Sequence, residues 1–177
     1  TGSKEEAAGT ADTNTDASQS SSADTSSGSE EAEAPEVHVF NIYSIGEDFK
    51  NRVQDFYPGY ESTGENSGQI SGVPVMWHVY TDAQEYRDVL DEKLGSQIDG
   101  SEEGADPDDR IDLFVVEEAF LRDYVESAAS MDVVEEVGLL QESLSDQFLY
   151  TQQMATDADG KLKAVSWQAT PGVFAFR

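Results

Sequence analysis

The chain has 177 residues, with 37 Asp and Glu against 10 Lys and Arg, a formal net charge of −27. A surface this acidic excludes nucleic acid as a partner, because phosphates demand lysine and arginine, and it opposes adhesion to anionic lipid heads. The absence of cysteine excludes disulfides, thiol catalysis and cysteine metal sites.

Taken in order, residues 1–36 are Ser, Thr, Ala, Gly, Asp and Glu almost throughout, and the first aromatic is Phe40. That composition forms no core, so a disordered tether is expected. It holds nine acids and one lysine, which leaves −19 for the remaining residues. The acidity of that part reads as a solvated surface that keeps the chain in solution. About 140 residues then suffice for one domain with a sizeable core. No run of about eighteen apolar residues marks a membrane span.

Residues 37–43 (VHVFNIY) are apolar on both faces, as in a central strand of a covered parallel sheet. Ser44 and Glu47 then form a capping box, and Phe49, Val53 and Phe56 follow as a helix stripe that Pro58-Gly59 ends. Residues 60–72 read as a turn-rich connection. Residues 72–80 read as a strand with Val73, Val75, Trp77 and Val79 on one face. Thr81 and Gln84 suggest a second capping box, opening a helix with Tyr86, Leu90 and Leu94 buried. Residues 99–109 are an acidic loop that fails the spacing of a calcium loop. Residues 111–116 (IDLFVV) are a third strand, running into Glu117-Glu118 and a helix carrying Phe120, Leu121, Tyr124 and Val125. Residues 131–140 show no clear period, and residues 143–155 suit a helix with Leu144, Phe148 and Thr151 on one side.

The chain then passes an Asp159-Gly160 turn into two apolar runs, 162–167 and 173–176, separated by a polar pause around Pro171-Gly172. This is an extended path with a break, suited to a hinge strand that leaves one sheet for another. Strands alternating with helices predict an α/β fold: a doubly wound, mostly parallel sheet with helices on both faces.

In such a sheet, ligands bind outside the carboxyl ends of the strands. The candidates there are Tyr43 and Ser44 after the first strand, Asp82 after the second, Glu117 after the third, and Trp167, Gln168 and Thr170 at the hinge. Rings beside acids and amides suit a sugar, whose C–H faces stack on aromatics while its hydroxyls pair with polar groups. Each residue has a structural alternative. Glu117 and Glu118 could complement a helix dipole, Trp167 could be core, and Ser44 could be a helix cap. His38 and His78 lack a ligand-spaced partner and read as structural. Phosphate-binding glycine fingerprints and the G-x-S-x-G elbow are absent, so no cofactor and no catalytic residue are expected.

Three stretches carry a family resemblance: residues 41–60 (NIYSIGEDFKNRVQDFYPGY), 110–125 (RIDLFVVEEAFLRDYV) and 166–177 (SWQATPGVFAFR) with TDADGKLKA before it. In order and spacing they resemble the extracellular solute-binding proteins of carbohydrate ABC importers, over roughly residues 37–177. The resemblance implies a lobe at residues 37–170, the start of a crossover to a missing second lobe at 171–177, and a sugar held between the lobes. It also implies a monomeric, non-enzymatic protein that delivers its carbohydrate ligand to the transmembrane subunits of the permease. Residues 1–36 would be the stalk of a lipoprotein, anchored through a lipidated Cys ahead of Thr1. The protein would then sit at the extracellular face of the cell membrane or in the periplasm. At about 5–6 Å × √n, such a stalk wanders roughly 30 Å. The family's first-strand loop commonly carries a stacking ring and an amide where this chain has Ile45 and Gly46. A surface-displayed interaction domain without a small ligand is the alternative. A glycosidase using Glu117 and Glu118 is a third, although adjacent residues are poorly placed to flank one glycosidic bond.

Overall fold

The computed structural model describes residues 38–100 and 109–168. They form an α/β fold around a five-stranded mixed sheet of order β2-β3-β4-β1-β5. Strand β1 (Phe40–Ile45) lies second from one edge and buries Asn41, Ile42, Tyr43 and Ser44 in succession, as a strand covered on both faces must. It runs parallel to β4 (Val73–Tyr80), from Phe40↔Val75 to Ile45↔Tyr80. On its other side it runs parallel to β5 (Leu113–Phe114).

The third strand is thus shorter than residues 111–116. Its pairing still extends beyond it, since the Asp112 amide donates to the Asn41 carbonyl at 3.2 Å and the Val115 amide to the Tyr43 carbonyl at 2.9 Å.

The turn-rich reading of residues 60–72 is corrected. They build an antiparallel hairpin, β2 (Tyr60–Ser62) and β3 (Ser67–Ile70), on the outer side of β4, so the sheet is mixed rather than mostly parallel. Ser71 and Gly72 join β3 to β4 with φ of 52° and 86°. Two left-handed residues in a two-residue connection match the twist of the flanking strands.

Alternation along β1 divides the core. On one side Ile42, Val75 and Trp77 pack with Phe49 and Val53 of α1 (Asp48–Phe56). Phe56 does not join that stripe: it is 71% exposed, with the Arg52 guanidinium 5.8 Å from its ring centre. On the other side Tyr43 packs with Tyr86, Leu90 and Leu94 of α2 (Ala83–Asp99), together with Ile111 and Tyr124. Burying Leu90 and Leu94 contributes about 1.5–3 kcal/mol each before ordering costs.

Both expected capping boxes fail. Ser44 is inside the sheet and its hydroxyl donates to the Gly46 carbonyl at 3.2 Å, while Glu47 holds the N-cap position of α1 without a side-chain bond. For α2 the cap is Asp82, whose Oδ1 accepts the amides of Gln84 at 3.0 Å and Glu85 at 2.8 Å.

After β5 the chain takes a 3-10 turn (Glu118–Phe120), a short helix α3 (Leu121–Val125), a second 3-10 turn (Gln141–Leu144) and α4 (Leu149–Met154). The single helix expected over residues 143–155 is therefore two pieces, with Leu144 buried and Phe148 64% exposed. The Asp159-Gly160 turn forms, with Gly160 at φ 85° and the Asp157 carboxylate accepting the amides of Asp159 and Lys161. The run that follows is not a sheet strand. Leu162 makes one antiparallel bridge to Thr156, the Leu162 carbonyl accepts the Val133 amide, and the Lys163 amide donates to Ala155. Those backbone groups bond to loops, so they cannot continue the ladder. The break at Pro171 and the expected crossover at residues 171–177 lie outside the described residues. Among the described residues no helix is long and apolar enough to cross a membrane.

Candidate functional site

Ranked by their appearance in the chain, the three parallel strands run second-first-third across the sheet, as β4-β1-β5. The connection through α1 leaves β1 to one side, and the connection through α2 returns past it to the other. Beyond the carboxyl ends of β1 and β5 the chain therefore diverges, which is where an open α/β sheet leaves a crevice.

A shallow depression lies there. It is lined by Ile45 at the end of β1, by Ala83, Tyr86, Arg87 and Leu90 of α2, and by Val116, Glu117, Phe120 and Tyr124 after β5. Its enclosed space is about 10 Å³. That is room for one water and far less than a small-molecule pocket.

The hydroxyl of Tyr86, one of the lining residues, braces the two strand ends. It lies 2.7 Å from the Val115 carbonyl oxygen and 3.0 Å from that of Tyr43, so its one proton is shared between the ends of two strands. Burial, the largest influence, pushes its pKa far above the ordinary tyrosine range, and the phenol stays protonated. Tyr124 is pushed up to about 12 by burial and by its 3.0 Å hydrogen bond to Asp91. Neither hydroxyl is a base at neutral pH.

Two groups on the wall remain chemically available. The Arg87 guanidinium carbon sits over Phe120, 4.0 Å from the ring centre, with Nη2 3.4 Å from Asp123. Its Nε is buried and has no partner among the described residues. Glu117 is exposed, and its carboxylate makes no cap bond to the turn it precedes. A cation stacked on a ring beside a carboxylate can orient hydroxyl groups by hydrogen bonding. Glu118 does not line the depression.

No protein-family model, curated protein or solved structure matches the chain.

The other sequence candidates fall into distinct places. Tyr43 and Ser44 are 1% and 0% exposed, so both belong to the core and neither presents a contact at the surface. The Tyr43 ring is covered by His78, stacked at 4.2 Å and 11°. Asp82 is exposed, but its Oδ1 is committed to capping α2. Trp167 stands edge-on to Phe49 at 5.4 Å, beside the first turn of α1, and is 37% exposed. Gln168 is exposed and its carbonyl accepts the Ser166 hydroxyl. Thr170 lies outside the described residues. Of the six candidates within the described residues, the depression takes in Glu117 alone, and it adds Arg87 and Phe120, which sequence reasoning passed over. The available signal was the spacing of Ala83 and Arg87, four apart and one turn into a helix that starts at a strand end.

His38 and His78 each bond within the fold, His38 to the Asp112 carboxylate at 3.0 Å and His78 to Asn41 Oδ1 at 2.9 Å. Among the described residues no cluster of three or more His, Asp or Glu is placed to hold a metal ion.

Proposed function

We propose that this chain is a lobe of an extracellular solute-binding protein that presents a carbohydrate to the transmembrane subunits of an ABC importer. In this reading the fold is one lobe of a two-lobe, doubly wound architecture and residues 1–36 are its tether to a lipid anchor. It acts as a monomer, without cofactor or turnover. The observation that carries the proposal is the reversal of strand order at β1, with Arg87 and Glu117 gathered at the carboxyl ends beside it. Trp167 and Gln168, at the same end of the sheet by way of the first turn of α1, supply a ring face and an amide.

The depression is too small to enclose a pyranose, so a sugar here is covered on one side only. The affinity expected of such a half-site is weak. A site worth about −4 kcal/mol has a millimolar Kd.

The test is a thermal-shift and calorimetric survey of mono- and oligosaccharides on the chain, with product analysis of the same mixtures. At about tenfold excess over Kd, a bound sugar stabilises by about 1.4 kcal/mol, a shift of several degrees for a domain of this size. At least one sugar should produce that shift unchanged in structure, and Glu117→Gln and Arg87→Met should each abolish it. No shift with any sugar at high millimolar concentration, or turnover of one, would overturn the reading.

A further inference from the structure

From Asp123 to Gly160 the chain carries nine Asp and Glu and no Lys, Arg or His. Within that stretch, residues 140–150 turn four large apolar side chains outward and bury Leu144. Leu140 is 68% exposed, Phe148 64%, Leu149 68% and Tyr150 46%. The rings of Phe148 and Tyr150 stack on each other at 5.9 Å and 25°. Glu142 and Asp146, between Leu140 and Phe148 in the chain, are exposed.

This segment is held in place rather than loosely attached. Leu144 is 4% exposed and anchors it inward, and its carbonyl accepts the Gln152 side chain at 2.9 Å and the Gln147 amide at 3.0 Å. The Ser143 amide returns to the Leu140 carbonyl at 2.9 Å, and the Gln147 side chain reaches the Ser166 carbonyl at 3.3 Å. With one anchor directed inward, the remaining large side chains are fixed pointing out. Exposed apolar groups this dense mark a surface that something covers.

Charge selects the occupant. Nucleic acid and anionic lipid are repelled. A second copy docking through the same face would set these acids against their own counterparts, since a two-fold interface is self-complementary in position but not in sign. The charged residues within the strip, Glu142 and Asp146, are both carboxylates, and their complement is an apolar strip flanked by amines or guanidiniums.

We propose that residues 140–150 are a docking surface for a cationic amphipathic segment of a partner protein, with aliphatic side chains along one face and Lys or Arg flanking them. Phe148, Leu149 and Tyr150 take the aliphatic face, and Glu142 and Asp146 pair with the flanking cations. This surface is separate from the depression at the strand ends and stands whether or not a sugar binds there.

The probe is a synthetic Lys/Leu amphipathic helix of roughly 18 residues, titrated calorimetrically at about 0.05 and about 0.5 M salt. A scrambled peptide of identical composition serves as control. One-to-one saturable binding is expected, at least about tenfold tighter than for the scramble. Phe148→Ser with Leu149→Ser should weaken it at least about tenfold at both salt concentrations, and Glu142→Lys with Asp146→Lys should weaken it most at low salt. The same reversal at Asp88 and Glu92, exposed acids of α2, should leave the difference between peptide and scramble intact. Circular dichroism checks that each variant folds, and the charge pair serves alone if the apolar pair does not. Equal binding of the scramble, or indifference to both variant pairs, would reduce the attraction to net charge and overturn the proposal. Concentration-dependent dimerisation abolished by Phe148→Ser with Leu149→Ser would also overturn it, since a second copy would then be the occupant.

Discussion

The hydroxyl of Tyr86, on the first turns of α2, sits 2.7 Å from the carbonyl oxygen of Val115, just past the end of β5. It ties the helix to the strand across the end of β1, whose Tyr43 carbonyl it also approaches at 3.0 Å. Removing it with Tyr86→Phe leaves the ring packed. The Tyr43 carbonyl keeps the Val115 amide at 2.9 Å, whereas the Val115 carbonyl loses its bond to the phenol. An unsatisfied buried acceptor costs about 1–3 kcal/mol. Urea denaturation of Tyr86→Phe should show a loss in that range with an unchanged m-value, and a variant as stable as the parent would show that water replaces the bond.

Alkaline pH probes the same packing. Tyr43, Tyr80, Tyr86 and Tyr124 all have pKa values raised, in each case chiefly by burial. A raised tyrosine pKa means that the unfolded chain releases its proton first. The stabilisation is therefore complete below about pH 10 and declines as pH climbs through the folded values. Ultraviolet titration should show these phenols ionising late and together with loss of ellipticity. Ionisation of all seven tyrosines near pH 10 in a still-folded chain would contradict the burial.

At the acid end His78 contributes. Burial lowers its pKa first, the nearby Lys93 adds to that, and Asp109 opposes it. Its Nε2 bonds Asn41 Oδ1 at 2.9 Å and its ring stacks on Tyr43. Below about pH 6.5 the unfolded state takes up a proton that the folded state resists, so stability falls with pH from that point. His78→Gln should be less stable at pH 7 but lose less on acidification, a contrast read from urea midpoints at both pH values.

Much of this was legible in the residues. The doubly apolar β1 and the Tyr86, Leu90 and Leu94 stripe follow from burial period alone, and they place the crevice at the strand ends. The hairpin was not legible. Its strands SGQI and YES are short and polar, YES lying at the sheet edge and SGQI between it and β4, and their order comes from the Ser71-Gly72 turn and from Tyr60 covering Gly68. Nor were the caps, because Ser44 and Thr81 compete with Gly46 geometry and with Asp82, whose carboxylate is the better acceptor. Arg87 escaped notice because its place over Phe120 depends on a turn more than thirty residues away in sequence.

Lys50 separates charge from shape. It is 4% exposed, with Nζ 2.9 Å from Asn66 Oδ1 and 3.6 Å from a Glu47 carboxylate oxygen. Asn66→Ala strands a buried ammonium with one distant partner, whereas Lys50→Met removes the charge and keeps the stem packed. Losing a hydrogen bond to a charged group costs about 1.5–3 kcal/mol, while replacing a buried charge with an apolar side chain of similar volume is often close to neutral. Chemical denaturation should therefore rank Asn66→Ala as clearly the more damaging of the two. The reverse order would mean that the ammonium stabilises the loop through Glu47 instead.

Gly68 offers the sharpest steric test of the hairpin. It is buried in β3, opposite Ser62, and the ring of Tyr60 lies directly over the position a Cβ would take. That ring cannot move freely, because its hydroxyl accepts the Trp77 indole N–H at 3.2 Å and its edge packs on Trp77 at 6.5 Å. A ring laid across a strand glycine covers backbone that would otherwise face water. Gly68→Ala should displace Tyr60, break the bond to Trp77 and cost about 1–3 kcal/mol as an overpacking change. Trp77 fluorescence should shift to the red as water reaches the indole. The double variant Gly68→Ala with Tyr60→Ala should be less destabilised than the sum of its parts, because the alanine then occupies space that the ring has left. Strict additivity would show that the two side chains do not meet.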